Sequence, residues 1–441
     1  MSELEDLRRD LTRLETRRAA LAPLREHWDG RPPTAFLSKT AREKMDDRLG
    51  RLSVNWPRLL VGSYTDRITI SGFTLDNVPD PGLWETYTAA GLRSGAELLH
   101  TDRLTYGAAY LTVFPEPGGR VAAVADSPRT MTADVDPLTG ECRRSVRYWT
   151  HRDQAHALVI TPEAVTRWVA PSTDGTVAGH WTRTREQPAP FALDGIHPTV
   201  PFIRRMSSED QDGTPVIADI LDLTDAGNKL LGDAMVTSED YARPRRWATG
   251  LEIEEDDDGN LIDPFARGRG LQSEDPATKF GQFAPASLDS YSTMIQTVTQ
   301  ILGGLTGLPP HYLGLHGDQA ASAEGIRAAE AQLTSRVYSE IRALDAPWSR
   351  AATLLDLAGD RNRTEPRAFT PAWESPEINT PGQASDAAAK LHGIGVPLRH
   401  LLRDPLGFDP QEIKAVMDDV KAEQIDRAAS DLIARAGSRP A

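Results

Sequence analysis

The first residues of the chain carry leucines at helical spacing. Leu7, Leu11 and Leu14 recur every three or four positions among arginines and glutamates, so they share one face of a helix. The pattern predicts one amphipathic helix over residues 3–28, which ends before Pro32.

The next part of the chain, up to residue 212, is dominated by alternating and β-branched segments. Residues 64–73 alternate in this way and predict a strand, and the apolar spacing over 83–101 predicts a helix. Further short strands are predicted at 107–114, 120–125, 141–150, 155–160, 164–169 and 177–183. Residues 1–212 therefore form an α+β region.

The pattern changes near residue 213. Thr214 and Pro215 are typical of the first residues of a helix, which we expect to run to about residue 241. Residues 242–286 are rich in Gly, Pro and charge and predict a small inserted β module, and a second helix follows over 287–302. A Gly- and Pro-rich loop occupies 303–318.

The strongest helical pattern lies further on. Apolar residues step by whole turns along a single stripe at Ile326, Leu333, Val337, Ile341, Leu344, Trp348, Ala351 and Leu355. They predict a helix over roughly 320–357, about 55 Å long at 1.5 Å per residue, with a kink at Pro347. In the tail from 373 we expect short helices that end in polar disorder.

Composition narrows the classes of protein. The 441 residues are 39% hydrophobic and 26% charged, as in a globular chain, and no apolar run approaches the ~20 residues of a membrane span. Cys142 is the single cysteine, so an intrachain disulfide is impossible and a cysteine-based zinc site is disfavoured. The net charge of −15 disfavours a sequence-specific DNA-binding protein, which usually shows a basic surface.

The chain lacks residues that several catalytic and metal-binding motifs require. The chain has no Gly-Lys dipeptide and so no Walker A loop, and it lacks His-Glu-x-x-His, Gly-x-Ser-x-Gly and Gly-x-Gly-x-x-Gly. The acidic run 252–258 fails as an EF-hand because Leu261 and Arg267 stand where Gly and Glu are required, which favours a solvated hairpin turn. A turn between strands likewise accounts for Asp134 and Asp136.

Two polar features remain as candidate binding residues. His311 and His316 flank a Pro-Pro-His-Tyr-Leu-Gly segment but do not share a helical face, which favours loop histidines over metal ligands. Arg243, Arg245 and Arg246 form a compact basic cluster. This cluster can contact a phosphate backbone, or it can form ion pairs with the acidic run that follows.

The order of these parts resembles the portal proteins of siphophages, which are structural proteins of tailed bacteriophages. The resemblance lies in the ordered set of segments 55–73, 222–231, 243–250, 307–314, 322–330 and 393–413. It implies an α+β fold of portal architecture: an α+β wing, a two-helix stem, a small β clip insert, a long kinked helix and a helical crown. The implied boundaries are wing 1–212, stem helices 213–241 and 287–302, clip 242–286, tunnel loop 303–318, long wing helix 319–372 and crown with C-terminal tail 373–441.

The resemblance also implies a function. The expected protein is not an enzyme and has no cofactor or membrane partner. It forms a ring of about twelve copies at one capsid vertex, through which double-stranded DNA passes without sequence specificity. The implied partners are the terminase large subunit, a head-tail adaptor, and the major capsid and scaffold proteins, in the host cytoplasm during assembly and then in the virion. The residues expected to face DNA in the channel are Lys229, Arg243, Arg245, Arg246, His311 and His316.

Two other interpretations stay open at this point. One is a metal-dependent phage hydrolase that uses the acidic residues. The other is a different structural phage protein, such as a minor head or adaptor protein.

Overall fold

The fold is described from a computed structural model. It describes residues 3–31, 53–171, 177, 179–188, 195–241, 246–250, 275–282, 288–315, 323–360, 363, 365–377, 381–403, 405–408 and 410–437. The helices within these ranges are α1 (Glu3–Ala20), α2 (Ala22–Trp28), α3 (Trp56–Thr65), α4 (Pro81–Ala89), α5 (Leu92–Tyr106), α6 (Leu221–Tyr241), α7 (Asp289–Thr306), α8 (Ala323–Gly359), α9 (Pro381–Gly393), α10 (Leu398–Arg403) and α11 (Pro410–Gly437). Short 3-10 helices lie at Ala218–Ile220 and Pro310–Leu313.

The strands pair antiparallel. They are β1 (Ile70–Leu75), β2 (Val78–Pro79), β3 (Ala108–Pro115), β4 (Val121–Asp126), β5 (Met131–Val135), β6 (Cys142–His151), β7 (Gln154–Ile160), β8 (Ala164–Ala170), β9 (Thr182–Pro188), β10 (Thr199–Ile203), β11 (Arg246–Thr249), β12 (Lys279–Gln282) and β13 (Thr370–Trp373). In the described residues they form sheets of order β13-β1-β2, β10-β3-β4, β5-β6-β7-β8-β9 and β11-β12. The predicted α+β class is confirmed.

Helix α1 covers one face of the five-stranded sheet. Its buried Leu7, Leu11 and Leu14 pack into one apolar cluster with Tyr148 on β6 and Trp168 on β8. The helical spacing of these leucines therefore marks the face that is buried against the sheet.

The largest core is organised around α8. Leu333, Leu344 and Trp348 on its apolar stripe are fully buried. The indole of Trp348 contacts Tyr87 and Phe202 edge to face, with ring centroids 5.8 and 5.2 Å apart. Helix α8 thus joins α4 to the β10-β3-β4 sheet, and it does so with the stripe that the sequence predicts.

A buried ionic group connects α8 to two other parts of the chain. The Glu340 carboxylate accepts one hydrogen bond from Arg103 on α5 (2.7 Å) and one from Arg204 just after β10 (2.8 Å). Arg204 also donates to the carbonyl of Thr214 (2.9 Å). Loss of one partner from such a buried group is strongly destabilising because it leaves a charge without compensation.

Two glycines allow the chain before α6 to lie against the α5–β3 junction. Gly107 and Gly213 have φ values of +83° and +89°, and a Cβ on either would overlap the backbone of the other. The Arg204 amide donates to the Gly107 carbonyl (2.8 Å) at the same place. Side chains are excluded here by conformation and by space together.

The prediction for residues 64–73 is wrong in part. Helix α3 runs through Thr65, and strand β1 begins only at Ile70. The helix is fixed by Asn55, whose side-chain oxygen accepts a hydrogen bond from the Arg58 amide (3.0 Å), and by Pro57 in its first turn. These capping residues outweigh the β-branched pattern that follows them.

Other boundaries differ in smaller ways. The helix predicted over 3–28 is interrupted at Leu21, and the helix predicted over 83–101 is two helices that meet at Gly91, a glycine with φ +74°. The strand predicted at 177–183 begins at Thr182, and α6 begins at Leu221 after a 3-10 turn. Strands β2, β5, β10 and β13 are absent from the predictions.

As far as the described residues reach, the tail differs from the predicted short helices that end in polar disorder. Helix α11 continues from Pro410 to Gly437. Its mixed charges at one-turn spacing, such as Glu423 with Arg427 (3.2 Å), suit an exposed helix. A polar composition therefore does not by itself indicate disorder here.

Candidate functional site

The candidate site is the helix–insert–helix unit formed by α6, β11, β12 and α7. Helices α6 and α7 pack side by side, and the hydroxyls of Thr237 and Tyr291 lie 3.3 Å apart between them. Strands β11 and β12 pair antiparallel, with Arg246 opposite Gln282 and Thr249 opposite Lys279. The unit matches the predicted order of a helix, a small β insert and a second helix.

The β insert is held by a close packing contact. The indole of Trp247 lies over Gly281 on the neighbouring strand, where an added Cβ would come within 2.5 Å of the ring. The Thr278 hydroxyl donates to the Gly250 carbonyl (3.1 Å) and joins the end of β11 to the start of β12. Glycine is required at position 281 because the aromatic ring occupies the space of a side chain.

Three of the six predicted channel residues lie within the described residues. Lys229 is an exposed residue of α6 whose ammonium pairs with Asp233 one turn further on. Arg246 is an exposed residue at the start of β11. Arg243, Arg245 and His316 lie outside the described residues, as does the acidic run 252–258.

His311 lies in the 3-10 turn after α7, beside a buried carboxylate. Its Nε2 is 3.7 Å from Oε1 of Glu330, and its ring meets Tyr312 edge to face at 4.8 Å. The side chain is 38% exposed. The structure therefore places His311 at the base of the predicted tunnel loop, with one ring edge towards an acid.

Glu330 is the centre of a cluster that the sequence analysis missed. Arg67, near the end of α3, donates to the Tyr312 hydroxyl (2.8 Å), which lies 3.4 Å from the Glu330 carboxylate. Arg67 itself lies 3.8 Å from that carboxylate. The cluster joins the start of α8, the turn after α7 and the end of α3.

A signal for Glu330 was present in the sequence. Between Ile326 and Leu333, the apolar stripe of α8 skips one turn, and Glu330 stands at the skipped position. A carboxylate on a buried stripe requires a hydrogen-bonding or charged partner. The identity of that partner, Arg67, could not be read from the chain because it is distant in sequence.

The single cysteine of the chain lies beside a histidine but is not activated by it. Cys142 lies 3.7 Å from Nε2 of His197, but that nitrogen faces the Ile160 carbonyl (3.0 Å) and Nδ1 accepts from the Thr199 amide (3.0 Å). The imidazole is therefore a fixed neutral tautomer that cannot accept the thiol proton. Burial also raises the pKa of Cys142 to about 12 and lowers the pKa of His197 to about 4.

The acidic residues of the β5–β6 hairpin have a structural role. Asp136 accepts hydrogen bonds from the amides of Leu138 (2.8 Å) and Thr139 (3.3 Å) and pairs with Arg143. These hydrogen bonds lower the pKa of Asp136. The predicted turn is confirmed, and within the described ranges no group of three His, Cys, Asp or Glu residues is arranged to hold a metal ion.

None of the described helices is both long and apolar enough to cross a membrane.

Comparisons with known proteins give a consistent family. Residues 19–428 match the family described as phage portal protein, SPP1 Gp6-like. The chain is 30% identical to the portal protein of Mycobacterium phage D29, over 81% of this chain and 77% of that protein. It is 28% identical to the portal protein of Mycobacterium phage L5, over 93% and 88% respectively. A solved structure described as the neck of a native GTA particle computed with C12 symmetry is similar with a TM-score of 0.48 and 15% identity, over 83% of this chain and 93% of the other.

Proposed function

The chain belongs to the SPP1 Gp6-like family of phage portal proteins, and from that membership we propose how its copies assemble and what they meet. As a portal protein it is a structural component of the phage virion. We propose that twelve copies close into a ring at one capsid vertex, and that the ring assembles in the host cytoplasm. Double-stranded DNA passes through the ring, which docks first the terminase large subunit and then a head-tail adaptor, and contacts the major capsid and scaffold proteins.

The observation that carries the ring is an uncovered apolar stripe on α7. Met294, Ile301 and Leu305 are 51%, 49% and 49% exposed, and their spacing of seven and four positions puts them on one side of the helix. Leu302 and Thr306 are buried in the chain itself. A helix in a soluble monomer rarely leaves such a stripe in water.

Assembly into a ring can bury this exposed stripe on α7. In a closed ring each subunit contacts its neighbours through two different surfaces, so an apolar stripe on one copy is buried against another surface of the next copy. This geometry suits α7 because the helix contacts α6 of its own chain through other residues, among them Tyr291, and leaves the stripe exposed.

The substitution Ile301→Asp tests the ring. Negative-stain electron microscopy shows whether the purified variant forms rings, and light scattering measures its mass in solution. We expect the charge to prevent or strongly reduce ring formation, because it would be desolvated at the contact. The neighbouring exposed residue provides the control, and Gln300→Asp should form rings as the parent chain does. Equal numbers of rings from both variants would contradict a subunit contact through this stripe.

We propose that DNA passes an acidic wall and is not held tightly. The charge of −15 per chain, repeated around a channel, repels phosphates and keeps a duplex mobile. Lys229, Arg243, Arg245, Arg246, His311 and His316 are the proposed local exceptions that face the duplex.

The basic cluster is tested by reversing its charge. The triple change Arg243→Glu, Arg245→Glu and Arg246→Glu should impair DNA retention or motor docking while rings still form, as measured by packaged DNA per particle. Lys390→Glu, an exposed cation on α9, is the control for loss of positive charge elsewhere. Normal packaging by the triple variant would refute the assignment.

We propose that the protein has no catalytic activity of its own, in line with the structural role of its family. The competing hydrolase interpretation requires a bound divalent metal. A thermal unfolding scan with Mg²⁺, Mn²⁺ or Ca²⁺ against a chelator decides between them, because a specific site raises the transition temperature and a portal subunit without one shows no shift.

A further inference from the structure

On the face of the five-stranded sheet away from α1, one part packs into an apolar cluster with Ile160 and Val165, and the rest carries basic and aromatic side chains. The cross-strand register places Arg147 on β6, Arg167 on β8 and Arg185 on β9 in one row, and Trp149 lies opposite His156 in the next row. Residues directly opposite each other in antiparallel strands share a face, so these five side chains lie on the same side of the sheet. We call them the basic plate.

Four of the five side chains of the plate contact one another. Trp149 stacks on His156 at 5.2 Å with an angle of 19° between the rings. The guanidinium carbons of Arg147 and Arg167 lie 5.8 and 5.7 Å from the centroid of the Trp149 ring. Contacts of this kind hold a cation in place while it remains accessible from outside the sheet.

The positive charge of the plate is only partly balanced. Arg147 is paired with Asp126 at the end of β4 (2.8 Å). In the portion of the chain that the structure covers, neither Arg167 nor Arg185 has a carboxylate within 4 Å, and both are exposed. Arg167 instead lies 3.3 Å from Nδ1 of His156.

His156 keeps a nitrogen available for that contact. Burial, assisted by the positive charge of Arg167, lowers its pKa below the ordinary value, so the ring is neutral near pH 7. Its Nδ1 can then accept a hydrogen bond from the guanidinium. The plate thus carries one guanidinium, that of Arg167, which is held by Trp149 and His156 without a carboxylate partner, on a chain that is acidic overall.

The spacing of the row suits a phosphate backbone. Arg167 and Arg185, the two guanidinium groups without a carboxylate partner, lie opposite each other on neighbouring strands, one strand step or about 5 Å apart. Phosphates along one strand of a duplex are about 3.4 Å apart along the axis, so these two long side chains can reach neighbouring phosphates.

We propose that the basic plate is a contact surface for the phosphate backbone of duplex DNA, outside the predicted channel segments. The choice of duplex DNA over an acidic protein rests on the proposed function, which brings this chain next to DNA. The plate has the chemistry of non-specific binding, because guanidinium groups contact phosphates and phosphate contacts carry no sequence information.

The experiment measures binding of the full-length protein to a small closed circular duplex of arbitrary sequence by electrophoretic mobility and fluorescence anisotropy across a series of salt concentrations. A closed circle cannot thread a ring that has already formed, so binding reports surfaces other than the channel. The double variant Arg167→Ala and Arg185→Ala should bind the circle about tenfold or more weakly at low salt. Its slope of log affinity against log salt should fall by about 2, one for each lost phosphate contact.

Two further variants separate electrostatics from structure. Arg120→Ala with Arg183→Ala removes two exposed cations elsewhere, Arg120 beside Glu116 and Arg183 beside Glu3, and should leave the slope unchanged. The change of Arg167 and Arg185 to Lys retains the charge and should keep most of the slope.

Three outcomes overturn the proposal: no binding of the circle by the parent chain, equal loss in the Arg120 and Arg183 control, or unchanged binding by the alanine double variant. Binding of poly-glutamate through the same arginines, without binding of the circle, would assign the plate to an acidic protein and also overturn it. Negative-stain images of each variant test ring formation independently, so failure of the plate and failure of the proposed ring are distinguishable.

Discussion

Helices α7 and α8 follow one another in the chain and both carry an apolar stripe, yet they bury it differently. On α8, Leu344 and Trp348 are completely buried against α4 and the β10-β3-β4 sheet. On α7, Ile301 and Leu305 remain about half exposed. The comparison teaches that a helical hydrophobic pattern predicts a buried face but not whether the partner lies in the same chain.

The largest difference between the two helices is expected for a matched truncation in each. Leu344→Ala should lower the free energy of unfolding by about 2–5 kcal/mol, because it leaves a cavity in a closed core. Ile301→Ala should lower it by about 0.5 kcal/mol or less in the unassembled chain, because half of the side chain is already in water. Urea unfolding at a concentration too low for assembly measures both.

Equal losses in the two variants would mean that α7 is covered within its own chain. In ring assembly the order of the two effects should be reversed. At limiting protein concentration, Ile301→Ala should reduce ring formation more than Leu344→Ala does.

A smaller effect comes from a buried histidine beside α8. Nε2 of His100 accepts a hydrogen bond from the Trp348 indole (2.9 Å), and burial together with the charge of Arg103 lowers the pKa of His100 to about 3. The unfolded chain takes up this proton near pH 6.5 and the folded chain does not until about pH 3. Stability from this group is therefore complete above pH 6.5 and is lost progressively as the pH falls.

The test compares the parent chain with His100→Gln, whose side-chain oxygen can still accept from the indole. Between pH 7 and pH 5 the parent should lose about 2 kcal/mol more unfolding free energy than the variant. The carboxyls of Asp102 and Asp126, whose pKa values burial raises to about 6, act in the opposite direction in both proteins and cancel in the difference. Parallel pH profiles would contradict a neutral, buried His100.

The smallest effect is expected at the surface of α6. Lys229 pairs with Asp233 on an exposed turn, in the less favourable order of charges along a helix. Lys229→Ala should change the unfolding free energy by about 0.5 kcal/mol or less. A loss above about 1 kcal/mol in thermal or urea unfolding would show that this region is more closely packed than its exposure indicates.

The long helices were largely predictable because their stripes are sustained over many turns. The prediction of 320–357 agrees with α8 at Ala323–Gly359, and the prediction of 287–302 agrees with the start of α7 at Asp289. Short elements were less predictable because tertiary contacts and single capping residues decide them. Asn55, for example, begins a helix just before a segment whose composition favours a strand.

The candidate site was predictable as an order of elements more than as a set of residues. The helix–insert–helix unit follows from the sequence, but the contacts of His311 with Glu330 and of Glu330 with Arg67 do not. Arg67 and Glu330 are far apart in the chain, and a single sequence contains no record of which charges meet. The polar position in the apolar stripe of α8 indicates that Glu330 has a partner but not which residue that partner is.

The contact between Gly107 and Gly213 has a consequence for variation among relatives of this chain. Each glycine excludes a side chain at the other's backbone, so enlarging one cannot be compensated by a change at the second, which is already the smallest residue. The residues at these two positions should therefore vary together. Relatives that keep this junction should keep both glycines, and relatives that lose one should have a different backbone path before α6. An alignment of family members tests this: sequences with glycine at one position should have glycine at the other.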